Sequence, residues 1–338
     1  MPAFARSAMA SERAAGAAVD PVSLLDPALR PIVTAWAAKF GNGSITADGL
    51  AKIRAGGDGQ KPTLAASPPL TERMIPGKKG DPDVRVLVAA APPDGRKRPA
   101  ILDMHGGGYI LGNAWGEALR AQSMAGEFDS VVVSVDYRLA PETPFPGALD
   151  DNYAALHWIY ANADTLGVDR DRIAVFGESA GGGHAAALAI AARDRGEIPL
   201  CCQILIYPML DDRTGSSVMP PSFMGSYVWN AGDNRFGWSS YLGVPAGSAS
   251  VPDGAVPARE TDLTGLPPTF IGVGALDLFV DEDVDYARRL VNSAIPATLL
   301  VVPGAIHGFD HIIPQSRIAK EFTEAWKSVL ASCLAAKV

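Results

Sequence analysis

Short apolar runs rich in Val, Ile and Leu recur along the chain, separated by longer stretches in which apolar residues return every three or four positions. The runs at 84–91, 100–104, 130–135, 172–176, 201–207, 269–273 and 297–302 predict strands. The stretches at 148–160, 180–193, 281–292 and 318–335 predict helices. Alternation of the two from about Thr71 onward predicts an α/β fold, a mostly parallel central sheet flanked by helices.

Two regions break that alternation. Before Leu70, Asp20-Pro21 and Asp26-Pro27 each read as an N-cap followed by Pro at the first helical position, so the N-terminal part is expected to hold helices outside the sheet. The stretch 211–266 is too long for an ordinary connection between strands. It gathers Phe223, Tyr227, Trp229, Phe236, Trp238 and Tyr241 within 19 residues, which suggests a lid over an apolar pocket; a dimer contact or a small core is the alternative. Nothing in the chain reads as an internal repeat or as a linker between independent domains.

Composition narrows the picture. The 35 glycines and 27 prolines exceed the usual usage of about 7% and 5%, without a collagen-like period, and imply many sharp turns and long loops. A net charge of −8 argues against nucleic acid as a partner, since affinity for phosphates comes mostly from Lys and Arg. The basic runs Lys78-Lys79 and Arg96-Lys97-Arg98 read as solvated loops. Cys201, Cys202 and Cys333 cannot form a disulfide framework, so a reduced, cytoplasmic setting is expected. No run of about 18 apolar residues occurs, so no membrane insertion is expected, and the first 18 residues read as a mobile arm.

The candidate chemistry starts at Gly177-Glu178-Ser179-Ala180-Gly181, between a predicted strand and an Ala-rich helix. A turn that sharp needs Gly at its flanks and lifts the Ser hydroxyl to the sheet edge beside a helix N-terminus. The pattern alone is weak; its placement gives it weight. A dinucleotide-binding reading of Gly181-Gly182-Gly183-His184-Ala185-Ala186 fails, because the preceding strand ends at Gly177 and the next strand carries no acid for a ribose.

A nucleophilic Ser needs a base, an acid to orient the base, and N–H donors for an oxyanion. His105-Gly106-Gly107-Gly108-Tyr109, directly after a strand, offers unobstructed backbone donors. Of the five histidines, His105 is expected to pin that loop, while His157 and His184 fit packing or surface roles. His307 follows a predicted strand and the turn Val302-Pro303-Gly304 and is the preferred base, with His311 as its competitor. Asp277, after Gly274-Ala275-Leu276, is the preferred acid. The order Ser179, Asp277, His307, spaced by 98 and 30 residues, is that of α/β-hydrolases, and all three follow the carboxyl ends of predicted parallel strands. The acidic cluster Asp281, Glu282, Asp283 and Asp285 lacks the Gly and terminal Glu of a calcium loop, and no His/Cys metal spacing occurs; acidic residues at a helix start are the simpler account. No metal or cofactor is expected.

With these pieces in place the chain resembles bacterial members of the hormone-sensitive-lipase-like (family IV) carboxylesterases. The matching segments are His105-Gly106-Gly107-Gly108-Tyr109, Tyr137-Arg138-Leu139-Ala140-Pro141-Glu142, Gly177-Glu178-Ser179-Ala180-Gly181-Gly182, Asp277-Leu278-Phe279-Val280-Asp281-Glu282 and His307-Gly308-Phe309. The resemblance implies an α/β-hydrolase domain over 70–338 and a helical cap built from 1–69 and an insertion at about 211–266. It further implies oxyanion donors at Gly107, Gly108 and Ala180, hydrolysis of short to medium acyl esters through a Ser–His–Asp triad, and a possible homodimer. Candidate pocket residues are Tyr109, Phe223, Met224, Leu278 and Ile306. Hydrolysis of amides or lactones by the same triad, or a non-catalytic ligand receptor on the same fold, are the alternatives. Two positions depart from the family pattern: Glu178 stands where its common subfamilies carry Asp or Thr, and Leu278 where Pro usually follows the acid.

Overall fold

A computed structural model describes residues 20–40, 44–57 and 61–335. Eight strands form one sheet: β1 (Leu70–Ile75), β2 (Val84–Ala89), β3 (Arg98–Met104), β4 (Val131–Asp136), β5 (Val168–Glu178), β6 (Cys202–Ile206), β7 (Thr269–Gly274) and β8 (Ala297–Val302). Their spatial order is β1-β2-β4-β3-β5-β6-β7-β8; β1 and β2 are antiparallel to their neighbours, and the six strands from β4 to β8 run parallel. The seven predicted strands correspond to β2–β8. Strand β1 has no counterpart in the prediction, because as an edge strand it exposes most of its side chains and shows no apolar run.

Both faces of the inner strands are buried, which is why they read as continuous apolar runs. Leu102, Val133, Val175, Leu205 and Ile271 pack on one face with Leu156 and Ile159 of α5 (Gly147–Ala161), with α7 (Ala180–Arg195) and with Tyr286 and Leu290 of α9 (Val280–Asn292). Their sequence neighbours Ile101, Val132, Phe176, Ile204 and Phe270 point the other way, as strand geometry requires. That face is covered by Met124 and Ala125 of α4 (Ala118–Glu127) and by Phe322, Trp326 and Leu330 of α11 (Arg317–Leu334). In α11 the buried Ile318, Phe322, Trp326, Leu330 and Leu334 make one stripe at four-residue spacing, and Ser316 caps its start by accepting from Ala319 N at 3.2 Å. Helix α4 escaped prediction because its buried face is mostly Ala, with a polar Gln122 among it.

Among the described residues, three helices precede the sheet: α1 (Pro21–Leu24), α2 (Arg30–Phe40) and α3 (Ala47–Gly57). Asp20 caps α1 as expected, accepting from Val22 N at 3.0 Å, with Pro21 at the first position. Asp26 caps a turn at 27–29 rather than a helix, and α2 begins only at Arg30. The segment before α3 meets the long insertion: Ser44 Oγ donates to Asn230 Oδ1 at 2.9 Å and Ile45 N to Asp233 Oδ1 at 2.6 Å. Within that insertion the one α-helix is α8 (Ala231–Leu242); α6 (Ala163–Leu166) and α10 (Phe309–Ile312) are single turns elsewhere. The expected mobile arm at 1–18 lies outside the described residues.

One expectation about charge is corrected. Arg98 is buried, not solvated, with its guanidinium held by Asp94 at 2.9 Å and Asp129 at 2.7 Å. Of the acidic cluster at the start of α9, Asp281 and Asp285 are exposed, but Glu282 and Asp283 are buried; Glu282 accepts from the backbone N–H of Leu210 and Asp211. Burial holds both buried carboxyls well above the usual range. Cys201, Cys202 and Cys333 are free thiols. Among the described residues no helix is long and apolar enough to cross a membrane.

Candidate active site

Strand β5 ends at Glu178 and α7 begins at Ala180, so Ser179 alone must reverse the chain, at φ 57° and ψ −122°. That conformation costs a non-glycine residue about 1–3 kcal/mol and persists because its surroundings overdetermine it. Ser179 N donates to Ile206 O at 2.8 Å, while Ser179 O accepts from Met209 N at 3.0 Å and Gly183 N at 3.1 Å. The flanking glycines are required by close approach. A Cβ on Gly177 would lie 2.1 Å from Gly181 O, and one on Gly181 2.1 Å from Met104 O.

The loops leaving β7 and β8 run side by side, with Ala275 N donating to Val302 O and Leu276 N to Ala305 O, each at 2.9 Å. This pairing brings Asp277 against His307. Asp277 Oδ2 lies 2.7 Å from His307 Nδ1, and its Oδ1 accepts from Phe279 N at 3.1 Å. His307 Nε2 lies 2.9 Å from Ser179 Oγ. A carboxylate only accepts, so Nδ1 carries the ring proton and Nε2 is left to accept from the hydroxyl. Tyr207 and Phe279 meet the imidazole edge-on, with centroids at 4.7 Å and 5.2 Å. Asp277 is fully buried, whereas Ser179 and His307 keep 8% and 7% exposure, so solvent reaches the hydroxyl end of the chain and not the carboxylate end.

The glycine loop lies against this turn. A Cβ on Gly106 would be 3.5 Å from that of Ser179. Gly107 and Gly108 take φ of 125° and 60°, and among the described residues their N–H groups donate to no protein acceptor. Ala180 N, at the first position of α7, is one of the donors a helix leaves unpaired. His105 pins the loop as expected: it is buried, stacked on Tyr137 at 4.0 Å, with Nδ1 2.8 Å from Gly106 O. Burial holds its pKa below the usual histidine value. The segment from Tyr137 to Glu142 ties the loop down through Tyr137 Oη to His105 O at 2.6 Å and Ala140 N to Tyr109 O at 3.0 Å.

The other histidines separate cleanly. His157 is on the surface. His184 is enclosed by Tyr109, Tyr137 and Tyr241, and burial pushes its pKa down to about 3, so it is neutral. His311 does not reach Ser179's base position; its Nε2 lies 2.9 Å from Glu178 Oε2.

Of the five pocket candidates, only Phe223 and Met224 remain half-exposed. Leu278 and Ile306 are buried. Tyr109 belongs to the core, its ring stacked on Tyr241 at 4.3 Å and its hydroxyl donating to Met209 O at 2.8 Å, because its φ of 69° turns it inward with the loop. The aromatics of the insertion divide likewise: Trp229, Trp238 and Tyr241 are buried in the main core, while Phe223, Tyr227 and Phe236 are half-buried. Trp229 packs directly on Gly108, where a Cβ would lie 2.0 Å from its ring.

Sequence reasoning missed a charged group behind Ser179. Arg120 of α4 reaches Asp103 at 2.7 Å, Glu117 at 2.9 Å and Glu178 at 2.5 Å. Burial opposes the charge of Glu178, but Arg120 and His311 together outweigh it and hold its pKa down to about 2. Glu178, Asp310 and His311 bring three potential metal ligands within 4.8 Å of one another. The Glu178 oxygen they would share is taken by the guanidinium, which disfavours a second cation there. No local sequence signal could have found Arg120, which sits 58 positions from Glu178 on an unpredicted helix.

Known proteins resemble this chain over most of its length. Residues 101–311 match the model of a family described by its α/β-hydrolase fold. A carboxylesterase of Mycobacterium tuberculosis, NlhH, is 34% identical over 297 residues, covering 84% of this chain and 88% of that protein. An ethyl acetate hydrolase of Pseudomonas putida is 30% identical over 257 residues, covering 70% of this chain and 79% of that one. Among solved structures, a bacterial heroin esterase superposes with a TM-score of 0.83 at 33% identity, covering 94% of this chain and all of that one. Fold, family match and relatives converge: the chain belongs to the hormone-sensitive-lipase-like branch of the α/β-hydrolases and is a carboxylic ester hydrolase.

Proposed function

We propose that the chain hydrolyses short to medium acyl esters through Ser179, His307 and Asp277. The observation that carries this reading is the unbroken hydrogen-bond path from Ser179 Oγ through His307 to Asp277, at 2.9 and 2.7 Å, beside a glycine loop with unpaired donors. As Oγ attacks the ester carbonyl, His307 Nε2 takes its proton and the Asp277 carboxylate stabilises the imidazolium. The carbonyl oxygen becomes an oxyanion that receives the N–H groups of Gly107, Gly108 and Ala180. Collapse expels the alcohol, which leaves with the proton from Nε2. Water then gives a proton to His307 and its oxygen to the acyl carbon, and release of the carboxylic acid restores Ser179.

The half-exposed Phe223 and Met224 support an apolar acyl site, and the segments 44–57 and 211–266, joined at Ser44 and Ile45, serve as its cap. The relative that hydrolyses ethyl acetate supports the short end of the acyl range. The test is turnover of p-nitrophenyl esters from acetate to palmitate, beside a matched anilide. Native protein is expected to prefer acyl groups at the short to medium end and to favour ester over amide, while Ser179→Ala loses turnover and fluorophosphonate labelling. Retained turnover in a clean Ser179→Ala preparation would overturn the assignment, and a preference for palmitate would overturn the acyl range.

A further inference from the structure

We propose that Glu178 and His311 form an ionic clasp that holds the nucleophile turn and the base-bearing loop in reacting register, making both of them positioning residues. The inference rests on the triad reading above. Glu178 immediately precedes Ser179, and His311 lies four residues beyond His307, so the pair spans the same gap as the catalytic hydrogen bond. The contact is 2.9 Å from His311 Nε2 to Glu178 Oε2.

Each half of the clasp is stiffly joined to its reacting neighbour. His311 belongs to the single turn α10, where Phe309 N donates to Ile306 O at 3.3 Å and His311 N to Gly308 O at 3.1 Å. His307 and His311 therefore move together. Glu178 is the last residue of β5, paired in register with Ile206, and its side chain is anchored by Arg120, itself fixed to the fully buried Asp103 of β3. Ser134 Oγ completes the anchor by donating to Asp103 at 2.6 Å. The departure from the family pattern at 178 thus has a structural partner: Thr there would carry no charge, and Asp would be one methylene shorter.

The groups facing the pair are Arg120 from α4, Glu117 immediately before it, Asp103 from β3, Asp310 from α10 and Tyr207, whose hydroxyl lies 3.2 Å from Asp310. The Glu178 carboxylate, through its charge and its hydrogen bond, raises His311 to about 9, against partial burial and Arg120. Because the folded pKa is raised, the clasp is charged below that value and is lost as pH rises through about 9. Loss should lengthen the His307–Ser179 approach and lower kcat rather than raise KM.

Two measurements test this on the full-length protein. In a proton–carbon NMR titration, the His311 signal, identified by its absence in His311→Gln, should titrate near 9 and fall toward the ordinary histidine value in Glu178→Gln. In p-nitrophenyl acetate kinetics, native kcat should decline through that same pH. His311→Gln should cut kcat at neutral pH by between about 10-fold and 10²-fold with little change in KM. His311→Lys should restore much of it and move the alkaline limb upward, which separates loss of the cation from failure to fold. A His311 signal titrating near or below 7 in the native protein, or a native kcat and pH profile in His311→Gln, would overturn the clasp. Absence of ester turnover in the native protein would instead overturn the triad reading, and the positioning role with it, while the titration would still report the ion pair.

Discussion

Asp277 divides its two oxygens between holding itself and holding His307. Oδ1 is fixed by Phe279 N and Oδ2 takes the ring proton at Nδ1, so an amide at this position would present a donor to a donor or turn the imidazole to avoid it. In the proposed acyl transfer Asp277→Asn is expected to lower kcat by about 10³- to 10⁴-fold with KM little changed, read from steady-state p-nitrophenyl acetate kinetics. Ser179, Asp277 and His307 were legible in the sequence because each is announced by local chemistry: a Gly-flanked turn for the first, a short turn after an apolar run for the other two. Glu178, Arg120 and His311 were not legible as a group. Their pairing depends on where α4 and α10 pack, and charge order along a chain carries no information about separations of 58 and 133 residues.

At the scale of elements, the glycine loop works by closeness rather than by flexibility. Gly108 lies directly under Trp229, and its φ of 60° disfavours any side chain, so Gly108→Ala must displace either the loop or the indole. A misplaced oxyanion donor should cost about 10²- to 10³-fold in kcat while the far-ultraviolet circular dichroism stays native; unchanged kcat would show that the loop N–H groups are not used. Inner strands and amphipathic helices were readable because burial on two faces, or on one stripe, leaves a period in the sequence. Strand β1 and helix α4 left none, the first because it is an exposed edge and the second because small Ala side chains fill its contact with the sheet. The aromatic insertion was legible as an apolar region, but which of its rings fill the core was decided by packing: Trp238 and Tyr241 close around Tyr109.

For the whole molecule, Leu25, Leu29, Val33 and Leu50 bury the N-terminal segment against the sheet domain, and α3 adds polar ties. Arg54 of α3 donates to Ile110 O at 2.8 Å and Ala140 O at 2.7 Å and pairs with Glu142 at 2.7 Å, with its side chain only 18% exposed. Hydrogen bonds from a charged group contribute about 1.5–3 kcal/mol, so Arg54→Ala should lower unfolding free energy by about 2 kcal/mol in urea and make 44–57 an early site of limited proteolysis. An unchanged midpoint would show that apolar contacts such as that of Leu50 suffice to hold α3. The sequence by itself determined the sheet class and pointed to Ser179, Asp277 and His307 as candidates at strand ends, because periodicity and turn chemistry are local properties written residue by residue. Only the tertiary structure decided that Tyr109 packs inward, that Arg98, Glu282 and Asp283 are buried, and that His311 grips Glu178 rather than competing with His307. Those outcomes depend on which distant elements come to pack together, and no local pattern encodes that.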